Sequence, residues 1–242
     1  MIRDSEANMS TRIVRGLFVA ALVIAAATLT LRFASAGDRA VMLPDPEIDA
    51  QVTTTGDSTA VLAGGCFWGI QAVFQHVKGV KRATSGYAGG AASTAEYELV
   101  GTGRTGHAES VRITYDPSQI SYGQLLKIFF SVAHDPTELN RQGPDEGPQY
   151  RSAIFYNGEE QHRIAAAYVS QLQQAKLFRR KIVTEITPLK GFYEAEGYHQ
   201  DYATRHPNDP YIVINDAPKV AHLKQVFPNI YVSGPSKGGH YD

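Results

Sequence analysis

The sequence predicts an α/β or α+β fold, with a sheet of about four to six strands covered by helices. Three observations point there. Short apolar or alternating runs take turns with stretches whose apolar residues recur every three or four positions, so the hydrophobic period switches repeatedly between two and 3.6. Gly, Pro and Asp punctuate the switches. The 242 residues are 43% hydrophobic and 19% charged, the composition of an ordinary folded domain rather than of a collagen-like, disordered or coiled-coil chain.

In chain order, Gly16–Leu31 is an uncharged apolar run behind Arg12 and Arg15. As a helix it would reach about 24 Å, short of a hydrocarbon core of about 30 Å. The small residues Ala34-Ser35-Ala36 follow, so residues 1–36 are expected to be a secretory signal peptide cleaved after Ala36, with an N-terminal membrane anchor as the alternative. Residues 37–58 are polar, carry Pro44 and Pro46, and read as a linker. Residues 59–232 read as one domain, and 233–242 as an irregular tail.

Within the domain, Thr59–Ala63 is a strand ending at Gly64-Gly65, and Phe67, Ile70, Phe74 and Val77 mark the helix after it. Val80–Tyr87 reads as a strand followed by a Gly/Ala/Ser loop. His107–Tyr115 alternates and stops at Asp116-Pro117, and Tyr122 to Ala133 has helical spacing. His134–Gln149 is polar, with Gly and Pro. So long a segment without regular structure inside a domain is usually functional. A strand (Arg151–Tyr156), a long helix (Glu159–Leu177), a strand (Lys181–Thr187) and a helical stretch near Tyr193–Arg205 complete the pattern.

Charge and cysteine content remove several function classes. With 23 Lys+Arg against 24 Asp+Glu, nothing electrostatic draws the chain to nucleic acid. One cysteine, Cys66, excludes an intramolecular disulfide framework, a multi-cysteine zinc site and an iron–sulfur site. Eight scattered histidines show neither a His-Glu-x-x-His pattern nor a four-ligand set, so no metal is expected.

Cys66 lies in Gly64-Gly65-Cys66-Phe67-Trp68-Gly69, at a strand-to-helix junction. Many free cysteines are inert core residues. Here two glycines permit a sharp turn, and the first turn of a helix offers free N–H groups and a positive dipole end that favour thiolate, the nucleophilic form. Phe67 belongs to the helix's apolar stripe. Trp68 lies off it and can form the wall of a small apolar pocket beside the sulfur. Glu109 shares a strand face with Val111, Ile113 and Tyr115. If that face is buried, the carboxyl holds its proton toward neutral pH and can serve as an acid; if the head reaches solvent, it is an ordinary strand-end residue. Tyr97 and Tyr150 could donate hydrogen bonds to an S=O oxygen, but with 13 tyrosines present, position alone does not select these two.

Six ordered blocks carry a family resemblance: Gly64 to Gly69, Gly86-Tyr87-Ala88-Gly89-Gly90, Thr105-Gly106-His107-Ala108-Glu109, His134-Asp135-Pro136, Arg141 to Ser152 and Tyr198-His199-Gln200-Asp201-Tyr202. Over about residues 59–205 the chain resembles peptide methionine sulfoxide reductase A, the type acting on the S epimer. The resemblance implies a two-layer sandwich related to the ferredoxin-like fold, with no metal or organic cofactor. It implies Cys66 as the nucleophile and Glu109 as the acid that protonates the leaving oxygen. Phe67 and Trp68 would hold the substrate methyl group, Tyr97 and Tyr150 would bond the oxygen, and Asp145 would support the site. His199 falls in a family block and is placed behind the groups that touch substrate.

The chain departs from many relatives in lacking further cysteines near the C-terminus, and Gly101 sits where some have another. A one-cysteine enzyme is therefore expected: Cys66 becomes a sulfenic acid, and an external thiol of the glutathione, glutaredoxin or thioredoxin type restores it. The expected partners are oxidised proteins or free methionine sulfoxide as substrate and that thiol as reductant, acting on a monomer in the periplasm or outside the cell. Two rival classes stay open. A thiol redox sensor or binding protein needs Cys66 but no acid. A cysteine hydrolase needs Cys66 and a relayed histidine such as His199 or His107.

Overall fold

The computed structural model describes residues 41–50 and 56–234. The expected signal peptide (1–36), linker residues 37–40 and 51–55, and tail residues 235–242 lie outside the described residues.

The first half of the domain runs β1 (Ser58–Gly64), α1 (Phe67–Gln75), β2 (Val80–Ala88), α2 (Tyr97–Gly101), β3 (Ala108–Tyr115) and α3 (Tyr122–Ile128), which continues as a π-helical turn over Phe129–Ala133. The second half runs β4 (Arg141–Gln142), β5 (Asp145–Glu146), β6 (Ser152–Tyr156), α4 (Glu159–Gln174), β7 (Glu185–Pro188), β8 (Phe192–Glu194), α5 (Tyr202–Arg205) and α6 (Ala217–Val226).

Six strands form one mixed sheet in the order β7-β6-β1-β3-β2-β8. Only the β6–β7 pair is parallel. β1 is central and buried on both faces, which is why it reads as an apolar run rather than an alternating one. Ala60 and Leu62 face the main core with Val111, Ile113 and Ile154, under Phe67, Ile70 and Phe74 of α1. Val61 and Ala63 face a smaller cluster with Ala88, Ala108, Ala153 and Phe155. The stripe spacing of α1 and the alternation of β3 thus deliver the expected mixed α/β sheet. α3 starts on a capping box, in which the Ser121 hydroxyl accepts from Gln124 N–H and the Gln124 side chain accepts from Ser121 N–H.

Several expectations need correction. Residues 41–50, read as tether, are fastened to the domain: Leu43 is buried in the core, the Tyr168 hydroxyl donates to Pro44 O at 2.8 Å, and Asp49 accepts from Gly123 N–H at 2.7 Å. Leu43 N–H also donates to the Ser131 hydroxyl at 3.4 Å, and Asp45 pairs with Lys127 at 2.8 Å. His134–Gln149 is not devoid of regular structure, because β4 and β5 form a small hairpin pairing Arg141 with Glu146 and Gln142 with Asp145. The strand expected over Lys181–Thr187 begins only at Glu185, since Val183 N–H is taken by Pro136 O at 2.8 Å. No continuous helix spans Tyr193–Arg205. β8 pairs there with the edge of β2, and Asp201, at φ 54°, breaks the path between a 3-10 turn (Gly197–His199) and α5. The π-helical turn Ile212–Asp216 and α6 carry the chain back onto α1, an element the sequence pattern did not signal.

Candidate active site

Cys66 sits at the junction of β1 and α1, capping the helix start with φ −52° and ψ 125°. The turn depends on Gly65, whose φ of 93° disfavours a side chain and whose added Cβ would lie 2.5 Å from Gln142 Cγ. Gln142 bridges the backbone of Asp135, accepting from its N–H at 2.9 Å and donating to its carbonyl at 3.1 Å. His134 lies against Gly64 and stacks on Phe129 at 3.9 Å. The blocks around 134–136 and 141–152 therefore brace the turn that presents the sulfur.

Glu109 faces inward from β3 and is 4% exposed. Its Oε2 accepts the Phe67 backbone N–H at 3.0 Å, which ties the acid to the residue next to Cys66. Burial outweighs that bond and pushes the carboxyl up to about 8, so it holds a proton at neutral pH. The solvent-reaching alternative is thereby excluded. The expected thiolate is not the resting form of Cys66. Burial, then Glu109 once it has lost its proton, then Asp216, push the thiol well above its ordinary value, against the opposing effects of the Trp68 N–H and the Lys219 ammonium. The helix start does favour the anion, through Trp68, but desolvation of a residue 8% exposed is the larger effect.

Trp68 is held on three sides. Its Nε1–H donates to His199 Nδ1 at 3.2 Å, its ring stacks on Tyr202 at 3.8 Å and 9°, and Tyr211 meets it edge-on at 5.9 Å. Phe67 lies 5.1 Å from the His199 ring and 5.9 Å from Tyr87. These rings make an aromatic enclosure beside the sulfur, as the off-stripe position of Trp68 suggested. The sequence pattern missed Tyr202 and Tyr211 as members of it. Gln200 locks the enclosure to the sheet, accepting from Ser85 N–H at 3.0 Å and donating to Ser85 O at 2.9 Å and Ala195 O at 3.0 Å.

Tyr97 opens α2, and its backbone N–H donates to Glu196 Oε1 at 2.9 Å; the other oxygen of Glu196 takes the Tyr87 hydroxyl at 2.8 Å. Burial, then the charge on Glu109, pushes the Tyr97 phenol up to about 12. Burial and then the charge on Glu109 raise Tyr150 as well, so both phenols stay neutral donors at neutral pH. Arg151 sets the approach of β3 and Tyr150 together, donating to Gly106 O at 3.0 Å, His107 O at 3.2 Å and Pro148 O at 2.9 Å. Asp145 accepts the Tyr211 hydroxyl, and burial raises its carboxyl. All eight residues singled out from the sequence thus belong to one neighbourhood. Glu196, Tyr211, Asp216 and Lys219 join it from stretches with no chemical pattern, and Tyr202 joins it from the last of the six blocks although the sequence pattern assigned it no role.

Both candidate histidines have partners on the ring, although His199 Nε2 makes no hydrogen bond among the described residues. His107 accepts Gly90 N–H at Nδ1 (3.2 Å) and binds Ala91 O through Nε2 (3.0 Å). His199 spends Nδ1 on the Trp68 indole, and its Nε2 lies 4.0 Å from Glu196. Neither is placed as a relayed base for Cys66. A surface cleft of about 480 Å³, lined by residues such as Tyr115, Tyr122 and Glu160, contains none of the candidate residues.

Positions 58–230 match the family model described as peptide methionine sulfoxide reductase. Peptide methionine sulfoxide reductase MsrA 2 of Mesorhizobium japonicum is 63% identical over 180 residues, covering 74% of this chain and 92% of that one. The protein of the same name from Synechocystis is 50% identical over 189 residues, covering 77% and 88%. Among solved structures, Mxr1 of Saccharomyces cerevisiae in reduced form superposes with a TM-score of 0.58 at 35% identity, over 63% of this chain and 87% of that one. Methionine sulfoxide reductase A of Corynebacterium diphtheriae gives 0.55 at 37% identity, over 69% and 85%.

Proposed function

The chain belongs to the peptide methionine sulfoxide reductase family, and from that premise we infer how its own residues carry out thiol-dependent reduction of the S epimer of methionine sulfoxide. The observation that carries the reading is the pairing of a single buried thiol, Cys66, with a carboxyl that keeps its proton near neutral pH, Glu109. Attack on a sulfoxide needs both, because the oxygen must be protonated as the sulfur–oxygen bond weakens.

The aromatic enclosure of Phe67, Trp68, Tyr202 and Tyr211 takes the methyl group, which has no charge to lose to an apolar wall. Tyr97 and Tyr150 donate hydrogen bonds to the sulfoxide oxygen. Glu109 passes its proton to that oxygen, which makes the sulfur more electrophilic, and the Cys66 sulfur attacks. The thiol proton replaces the one Glu109 gave up. The oxygen ends on Cys66 as a sulfenic acid and methionine leaves, so the thiol is oxidised by the two electrons the sulfoxide gains. Two external thiols then return Cys66 to the thiol, releasing water and a disulfide. With no second cysteine in the chain, the resolving sulfur comes from outside. A glutathione, glutaredoxin or thioredoxin type of reductant fits that requirement.

Residues 1–36 are proposed to direct export, with oxidised methionines of envelope proteins as the substrate. The basic start, the apolar run and Ala34-Ser35-Ala36 support it.

A single turnover tests the chemistry. The reduced chain from Gly37 onward, freed of thiol, is mixed with the S-sulfoxide of a blocked methionine and read by mass spectrometry. The expected result is about one methionine per chain and one oxygen on Cys66, trapped as a sulfenic acid adduct. A folded protein with a free thiol that yields no methionine from either epimer would shift the weight to the sensor or hydrolase reading.

A further inference from the structure

Asp216 and Lys219 are set against the helix that carries Cys66, in a way that structural need does not explain. Asp216 is 0% exposed, its Oδ1 accepts from Lys219 Nζ at 3.1 Å, and its Oδ2 has no hydrogen-bond partner among the described residues. An ion pair withdrawn from water contributes little stability, and an unsatisfied carboxylate oxygen makes the arrangement costlier still. Both charges lie on Gly69, in the first turn of α1. A Cβ there would meet Asp216 Oδ1 at 2.1 Å and Lys219 Nζ at 2.7 Å. The last glycine of the Gly64 to Gly69 block is therefore the gap through which a carboxylate and an ammonium reach the nucleophile's helix.

We propose that this pair places a positive charge beside the nucleophilic sulfur, with Lys219 favouring the anion that develops on Cys66 and Asp216 anchoring Lys219 while opposing its effect. Lys219 is then a positioning residue, acting through charge without touching substrate. The need for it follows from the other groups that face the sulfur: Glu109 from β3, Asp216 from the turn before α6, and the phenols of Tyr97, Tyr150, Tyr202 and Tyr211. The carboxylates and burial oppose an anion, and Lys219 acts in the other direction on Cys66, on Asp145 and on Asp216 itself. When Glu109 has given its proton to the sulfoxide oxygen, this ammonium offsets the new negative charge.

The inference rests on Cys66 being the nucleophile, but its test does not require sulfoxide reduction. The rate of Cys66 alkylation by iodoacetamide, measured on the full chain between pH 6 and 10, reports the anionic fraction directly. Lys219→Met should slow alkylation at pH 8 about three- to tenfold and move the profile to higher pH, whereas Lys219→Arg should stay within about twofold of the parent. Asp216→Asn should speed alkylation and move the profile to lower pH. Opposite signs are the signature, because a merely structural pair would shift both variants in the same direction by loosening α6. Shifts of the same sign, or none, overturn the proposal. If Lys219→Met does not fold, Asp216→Asn decides alone: a faster rate supports the proposal, and an unchanged or slower one overturns it.

Discussion

The Phe67 backbone N–H donates to Glu109 Oε2 at 3.0 Å, joining the residue next to the nucleophile to the acid on a different element. The chain distance between them is 42 residues, so this bond exists only because β1 and β3 pair side by side and α1 leaves β1 directly over Glu109. Acid and nucleophile are thereby held in one frame, and movement of the first turn of α1 moves both.

Glu109→Gln keeps an acceptor for that N–H but has no proton to give. Sulfoxide reduction should fall by about 10² to 10⁴, while oxidation of Cys66 by peroxide stays nearly intact. In the parent, kcat/KM should decline above a midpoint near the 8 of Glu109, and the variant should lose that limb. A large loss of peroxide reactivity together with reductase activity would instead indicate damage to the Cys66 turn.

The same carboxyl makes stability depend on pH. Its folded value of about 8 lies above the ordinary 4.5, so between those limits the folded chain binds more protons than the unfolded chain. Stability from this group is retained below 4.5, declines as pH rises through the window, and levels off beyond it, with roughly 5 kcal/mol as an upper bound. Glu109→Gln should therefore melt higher than the parent at pH 9 and show little gain at pH 4.5. Equal differences at both pH values would contradict this.

Gly69→Ala should cost about 1–3 kcal/mol in denaturant titrations, because its methyl group would collide with Asp216 and Lys219. The same change at Gly101, where an added Cβ meets nothing within 4 Å, should leave stability within about 0.5 kcal/mol of the parent.

His199→Ala removes the acceptor that fixes the Trp68 indole. KM for the sulfoxide should rise about fivefold or more, with kcat changing less, since the loss is in holding the methyl group and a bond of about 1 kcal/mol is at stake. A hydrolase would instead lose turnover of a thioester on this change, and no thioester activity is expected in the parent.

Export predicts that the protein recovered from the envelope of its own cell begins at Gly37. N-terminal sequencing of a soluble cytoplasmic form that starts at Met1 would end the export reading.

Local patterns were legible and distant ones were not. β1, α1, β2 and β3 could be read directly because periods of two and 3.6 report which face of an element is apolar; that reasoning put Glu109 on the face of Val111, Ile113 and Tyr115, but only the fold showed its carboxyl to be buried. Cys66 stood out because two glycines and an off-stripe tryptophan are neighbours in the chain. The enclosure around Trp68 was not legible, since His199 is 131 residues away and nothing in its local spacing names its partner. The charge state of Cys66 was misjudged for the same reason. A helix start is a local feature that favours thiolate, but burial and the carboxylates of Glu109 and Asp216 arrive from elsewhere and outweigh it. Residue type and spacing determined the fold class and nominated the chemistry. Long-range packing decided which groups lost water, which charges became neighbours and so which protons stay, because desolvation and Coulomb energies depend on distances that only the folded chain defines.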